Sequence, residues 1–340
     1  MKASERRKWM ALAAVSLACV VATASFAYRA SRRAEARRDV DPAAPARPAE
    51  LSDALTRPHV LFRSTQLSNG YGRLALVPLG APADSRRLTP LACDRADYAG
   101  GRGVCLTADR GVFTTYRAAL FDDRFEVHHT IPLVGPPSRV RVSRDGTVAG
   151  LTVFVSGHSY AGGAFSTQSL VVDLQTGATL ADLEKFDVVR DKQPFKQIDF
   201  NFWGITFEAD PNRFYATLGT GGQTFLLHGD VKAGRATVLR AGVECPSLSP
   251  DGRRIAFKKR QTERGFVIWR LALLDLATMR ERILDGETRS VDDQVEWADD
   301  SRIMYAVPDQ PAGGRISVWM LNVDGGAATR VIADGESPSV

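Results

Sequence analysis

The octapeptide SGHSYAGG, Ser156–Gly163, carries the sharpest chemical pattern in this 340-residue chain. Gly157-His158-Ser159-Tyr160-Ala161 differs at one position from a G-x-S-x-G nucleophile elbow, the turn that exposes a serine for acyl transfer. An elbow needs a strand before it, a helix after it and a parallel sheet beneath it. Here TVFV precedes the motif and FSTQSLVVDL, rich in β-branched residues, follows it, so a loop between two strands is the better reading. His59, His128, His129, His158 and His228 show no H-E-x-x-H spacing, and no C-x-x-C exists, so no metal site is expected. LGTGGQT, Leu218–Thr224, lacks the Lys-Ser/Thr of a phosphate-binding loop and reads as a hairpin. No catalytic residue and no cofactor site emerge. The chain is not expected to be an enzyme.

Other residue types leave alternatives open. Trp203, Trp269, Trp297 and Trp319 are either platforms for stacking sugars or packing residues within sheets. Cys93 and Cys105 flank DRADYAGGRGV, a hairpin around Gly100-Gly101. Antiparallel strands can bring them into disulfide range in an oxidising compartment; the other reading is two reduced thiols. Cys245 has no partner nearby in sequence and reads as structural, and Cys19 as an ordinary apolar residue. Charged residues of the body alternate in sign and read as surface.

The formal net charge of +5 sits at the N-terminus. Lys2, Arg6, Arg7 and Lys8 face only Glu5, and residues 29–57 hold seven arginines against five acids. Residues 58–340 are then near neutrality, which offers no general field for nucleic acid. After the basic head of residues 1–8, Trp9–Tyr28 runs for 20 residues without a charge. That length suits a bilayer-spanning helix, and Ser25-Phe26-Ala27 also suits a signal-peptidase site. A membrane anchor, a cleaved signal and a buried helix are the three readings, with an exported body expected. Basic residues flank the run on both sides, so charge bias leaves its orientation open. Residues 29–57, rich in Ala, Arg and Pro, are expected to be a linker.

From residue 58 onward short apolar runs alternate with Gly, Asp, Asn and Pro clusters. LSPDGRRIAF (Leu248–Phe257) aligns without a gap to VSRDGTVAGL (Val142–Leu151), and more loosely to FEADPNRFYA (Phe207–Ala216) and WADDSRIMY (Trp297–Tyr305). The shared turn positions are Asp145, Asp210, Asp251 with Gly252, and Asp300. Aspartate caps such a turn, and glycine accepts its positive φ. The separations of 65, 41 and 49 residues are the size of a four-stranded propeller blade. Two weaker units, His59–Leu91 and Cys93–Leu133, bring the total to six. The first lacks an opening strand, and the closing ESPSV resembles ECPSL at the head of the fifth. Ser337, Pro338, Ser339 and Val340 are therefore expected to supply that strand and close the ring. The fold class is all-β: a six-bladed propeller of four-stranded antiparallel blades over residues 58–340.

PSLSPDGRRIAF, VEWADDSRIMY and the final SPSV resemble the WD40-like repeats of the TolB family of propellers. The likeness covers residues 58–340 and is strongest in the last two units. It implies an extracytoplasmic, non-enzymatic scaffold for a protein or cell-envelope partner. The sequence departs from the family in showing no separate N-terminal α/β domain, which leaves the partner undefined. The alternative is a propeller enzyme or carbohydrate-binding protein with its site at the mouth of the central channel.

Overall fold

The computed structural model describes residues 15–17, 19–26, 28, 45–67, 70–83, 85–155, 166–310 and 313–340. SGHSYAGG, with His158 and Ser159, lies outside the described residues. Of the apolar run Trp9–Tyr28, the described residues are helical, with Thr23 Oγ1 donating to the Cys19 carbonyl at 2.8 Å. Among the described residues no helix is long and apolar enough to cross a membrane. The rest of that run lies outside them. Residues 1–43 and 44–340 form two separate units.

The second unit holds six sheets, antiparallel apart from one pairing in blade four. Blade one holds β1 (His59–Ser64), β2 (Arg73–Pro78) and β3 (Arg87–Ala92). Blade two holds β4 (Arg95–Ala99), β5 (Arg102–Arg110), β6 (Thr114–Asp122) and β7 (Val127–Leu133). Blade three is β8 (Pro137–Val142), β9 (Val148–Val155), β10 (Ser166–Asp173) and β11 (Thr179–Asp182). Next come β12 (Asp187–Arg190) and β13 (Gln193–Pro194), which widen blade four: β14 (Asn201–Phe207), β15 (Arg213–Thr220), β16 (Gln223–Asp230) and β17 (Arg235–Ala241). Blade five is β18 (Glu244–Leu248), β19 (Arg254–Glu263), β20 (Phe266–Asp275) and β21 (Glu281–Ile283). Blade six is β22 (Glu296–Trp297), β23 (Arg302–Gln310), β24 (Gly313–Asn322) and β25 (Thr329–Ile332). β26 (Gly335–Ser339) then pairs with β1, setting Leu61 against Ser339 and Arg63 against Glu336. The ring closes through the C-terminal strand.

Each pair of neighbouring blades encloses its own apolar cluster, including blades six and one, where Val60, Phe62 and Val77 meet Met304, Val318 and Ile332. Both faces of a blade are thus buried. This is why the strands read as nearly continuous apolar runs rather than a clean alternation. Leu61 and Leu76 point the other way, into blade two beside Tyr98 and Phe121.

Three expectations need correction. The linker does not run to residue 57, because α1 (Pro48–Leu55) is a helix that buries Leu51 against blades one and two. Its first turn is held by Glu50, which accepts from the Arg47 backbone at 3.3 Å and from its guanidinium at 2.6 Å. Blade four has six strands rather than four, since β12 pairs in parallel with β17 and carries β13 outside it. In the sixth turn the capping carboxylate is Asp299, not Asp300. Asp299 Oδ1 accepts from the Ser301 and Arg302 backbones at 2.8 Å each, while Asp300 accepts from the Asp251 backbone of blade five at 2.8 Å.

The remaining turns share one mechanism. Asp145 Oδ1 accepts from Ser143 Oγ at 2.6 Å and from the Thr147 backbone at 3.1 Å, and Gly146 has φ +69°. Asp251 repeats this with Ser249 at 2.5 Å and Arg253 at 3.0 Å, and Gly252 has φ +70°. Asp210 accepts from the Asn212 backbone at 3.0 Å. A Ser-x-Asp-Gly turn satisfies its own backbone, so it needs no partner.

Candidate binding face and axial cleft

The first strand of every blade runs the same way along the central axis, which gives the ring two unlike faces. The lower face carries the Ser-x-Asp-Gly turns and the turns between third and fourth strands. The upper face carries the hairpins between second and third strands and the connections from blade to blade. Exposed large apolar residues divide unequally between them. On the upper face stand Leu67 and Tyr71 of the β1–β2 connection, Val112 and Phe113 of the β5–β6 hairpin, and Phe266 and Val267 of the β19–β20 hairpin. Phe113 is 84% exposed and Phe266 74%. Val134, Phe154 and Ile198, in blade connections or at a strand end, belong to the same face. Of the others among the described propeller residues, Val127 and Leu180 lie on the outermost strands β7 and β11, and Leu239 on β17 of blade four.

The axis itself is crossed by charge. On β8, Arg139 and Arg141 alternate with Val140 and Val142, so both arginines share the face turned from the valines. Arg141 pairs with Glu296, three blades away, and its Nη2 donates to the Val295 carbonyl at 2.8 Å. Arg139 donates to the Asp292 carbonyl at 3.2 Å, and Arg95 lies 3.8 Å from Asp293. Gln294 donates to the carbonyls of Ile205 at 3.1 Å and Pro246 at 2.9 Å. The segment 292–296 therefore spans the axis, which is why β22 is only two residues long. Burial pushes the Asp97 carboxyl above its ordinary value, against the pull of Arg141 and of the Val142 N–H that donates at 2.6 Å.

Below these contacts lies a cavity of about 450 Å³ bounded by Tyr98, Arg144, Phe207, Leu248, Trp297 and Val340. Above them a cleft of about 870 Å³ opens on the upper face between blades three, four and five. Its walls include Trp203, Trp269, Phe154 and Val267, and its floor Arg139, Glu244, Cys245, Lys258 and Asp292. Lys258 is buried, pairs with Asp292 and lies 4.0 Å from Glu244. Trp269 Nε1 donates to Glu244 Oε2 at 3.0 Å. Burial lowers Lys258, but Cys245 and Asp292 outweigh it and hold the ammonium above its ordinary value. Burial acts upward on Asp292, and Lys258 more than reverses it. Glu244 stays raised by burial, although Lys258 and Trp269 oppose it.

Backbone geometry sets the floor. Gly204 has φ +65°, and a Cβ there would stand 2.7 Å from the Cys245 Cα. Cys245 itself has φ +47° and takes its amide bond to Thr217 Oγ1 at 2.8 Å. Both sit at irregularities in the pairing of their strands. These bulges bring blades four and five together beneath the two indoles.

No protein-family model matches the chain, and no curated protein does. Solved structures match in fold. TolB from Acinetobacter baumannii aligns with TM-score 0.58 at 16% identity over 83% of this chain, which spans 66% of that one. A TolB-like protein of Agrobacterium tumefaciens gives 0.50 at 11% identity, covering 83% of this chain and 91% of the other. A nidogen–laminin complex gives 0.50 at 11% identity, with 78% and 89% covered. In fold, the chain is a TolB-like propeller.

Within this TolB-like propeller the residues singled out by sequence scatter. Cys93 and Cys105 form a disulfide at the junction of blades one and two, with Cα atoms 5.3 Å apart. Ser339 Oγ donates to the Tyr98 carbonyl at 2.8 Å and accepts from the Tyr98 amide at 3.0 Å, while Val340 lies beyond β26. Leu218–Thr224 is the β15–β16 hairpin, with Gly221 and Gly222 at its tip. The described histidines are apart: His59 on Arg57, His128 on Asp122, His129 on Gln175 and His228 on Glu208. Of the described tryptophans, only Trp203 and Trp269 share the cleft. Trp297 is buried with Nε1 donating to the Ser247 carbonyl at 2.9 Å, and Arg289 stacks on Trp319 at 3.7 Å.

The charged residues were the larger omission. Read as surface, Asp97, Glu244, Lys258 and Asp293 are instead buried at the axis. The signal was present in SRVRV, which alternates arginine with valine on an innermost strand, and in VDDQVEW, an acidic pair ahead of one. Only the ring geometry shows that these segments face each other.

Proposed function

We propose that this TolB-like propeller is a non-enzymatic binding scaffold outside the cytoplasm, and that it engages a protein or cell-envelope component through its upper face. The observation that carries the reading is the asymmetry of exposed apolar residues. Phe113, Phe266 and Leu67 stand at loop tips on one face, whereas the opposite face is built of self-capped polar turns. Aromatic side chains dominate the energetics of interaction surfaces, and the exposed ones of the propeller gather on one face. In the cleft the Asp292 carboxylate is paired with Lys258 and Arg139 and held below its ordinary value, which makes it a poor proton acceptor and supports binding there. The nidogen–laminin structure is a case of a similar fold within a protein complex. The basic head and the apolar run 9–28 support export, with the run serving as membrane anchor or as a signal removed by cleavage.

Photo-crosslinking in intact cells tests this. A photoreactive residue at Phe113 or Phe266 is expected to capture a discrete partner, and one at Lys232 or Arg253 on the lower face is not. Capture from the lower positions alone would overturn the assignment of the face.

A further inference from the structure

Beyond docking at the hairpin tips, the upper cleft has the composition of a separate small-ligand site. Its volume of about 870 Å³ falls within the usual range for such sites, roughly 300–1,000 Å³. Two indoles line it. Trp203 rests on the Gly219 backbone, where a Cβ would come within 2.6 Å of the ring. Trp269 is fixed by its bond to Glu244 and by Lys258 Nζ, 5.0 Å from the ring centroid. Trp297 and Trp319 lie elsewhere, the first buried and the second under Arg289. Trp203 and Trp269 both line the cleft.

The polar lining is balanced in sign. Arg139, Lys258 and Arg260 meet Asp199, Glu244 and Asp292. A polyanion gains little from such a site, and neither does a polycation. What the site offers is donors and acceptors side by side. The Asp292 side chain is 61% exposed and presents acceptor oxygens. Arg139 Nε is a buried donor with no partner among the described residues, and Arg260 and Gln223 are exposed donors on the cleft wall. A ligand matching this needs apolar faces for the indoles and edges of hydroxyls that both donate and accept. We infer that the upper cleft binds an uncharged saccharide chain, with Trp203 and Trp269 as stacking platforms and Arg139, Arg260, Gln223 and Asp292 as hydroxyl partners.

The test uses the full chain in a non-glycosidic detergent, titrated by calorimetry and tryptophan emission. The probes are neutral tetrasaccharides of β-1,4-glucose, α-1,4-glucose, β-1,4-mannose and β-1,4-N-acetylglucosamine, with a neutral tetrapeptide and inorganic phosphate as comparisons. At least one saccharide is expected to bind and shift the emission. Trp203→Ala is expected to weaken it about tenfold, the size of one lost aromatic contact. Arg260→Ala and Gln223→Ala, at exposed positions that leave the core intact, are expected to weaken it severalfold, and Trp319→Phe to leave it unchanged. The proposal is overturned if no saccharide binds at millimolar concentration, if the peptide or phosphate binds in their place, or if Trp319→Phe matters as much as the cleft variants. Hairpin-tip variants such as Phe113→Asp read out partner capture alone, so failure here is distinct from failure of the docking face.

Discussion

Glu336→Ala tests how the ring is held shut. Glu336 lies on β26 and its Oε1 stands 2.6 Å from Arg63 Nη1 on β1, with side chains 17% and 10% exposed. Arg63 Nε also donates to the Cys93 carbonyl at 2.5 Å, so one guanidinium joins the C-terminal strand, blade one and the disulfide junction. Removing the carboxylate leaves a buried cation with half its partners. Breaking a buried pair in this way costs about 3 kcal/mol, against less than ~1 kcal/mol for an exposed pair. For a propeller of this size the melting temperature is expected to fall by about 6 °C. Arg63→Met combined with Glu336→Leu is expected to recover most of the loss, because no charge is then stranded. Chemical denaturation of the single and double variants gives the comparison. A loss below about 1 kcal/mol for Glu336→Ala, or a double variant with the summed losses of its parts, would refute the reasoning.

Three further outcomes follow from the same geometry. Replacing Cys93 and Cys105 by serine is expected to cost about 2–3 kcal/mol in denaturant, as befits a 12-residue separation, and reductant is then expected to have no further effect. Gly204→Ala places a Cβ against the Cys245 backbone at φ +65°, so a loss above about 1 kcal/mol is expected; a neutral result contradicts the bulge contact. The pH profile should have two limbs. Asp97 and Glu244, raised by burial, contribute stability that is complete below the ordinary carboxylate value near 4 and lost as pH rises through their folded values. Asp145, Asp251, Asp299 and Asp292 lie below that value because hydrogen bonds and charge partners outweigh their burial, so their contribution is lost as pH falls below about 4. Denaturation midpoints should be level or higher at pH 5 than at pH 7 and fall steeply below pH 4. A steep loss between pH 7 and 5 contradicts this.

The architecture was legible because its code is local. A Ser-x-Asp-Gly turn between two short apolar runs satisfies its own hydrogen bonds, so Ser249–Gly252 and Ser143–Gly146 announce their hairpins without reference to the ring. The closing strand was legible for a related reason, since ESPSV repeats the pattern of ECPSL. The axis was not legible. Arg141 and Glu296 lie more than 150 residues apart, and only the sixfold arrangement makes them neighbours. The widening of blade four escaped because β12 and β13 are short and carry no turn signature. Asp300 was misassigned because two adjacent aspartates fit one motif, and geometry alone separates the capping Asp299 from its neighbour. Apolar tips such as Val112-Phe113 look like strand residues in sequence and become exposed only because the chain reverses there.

The upper face is the central claim, and affinity for the partner captured by crosslinking tests it most directly. Phe113→Asp combined with Phe266→Asp should weaken binding about thirtyfold, the effect of losing an anchor of ~2 kcal/mol, while Lys232→Asp combined with Arg253→Asp changes it less than about twofold. Equal affinity for the wild type and the tip variant, with loss confined to the lower-face variant, would contradict the account.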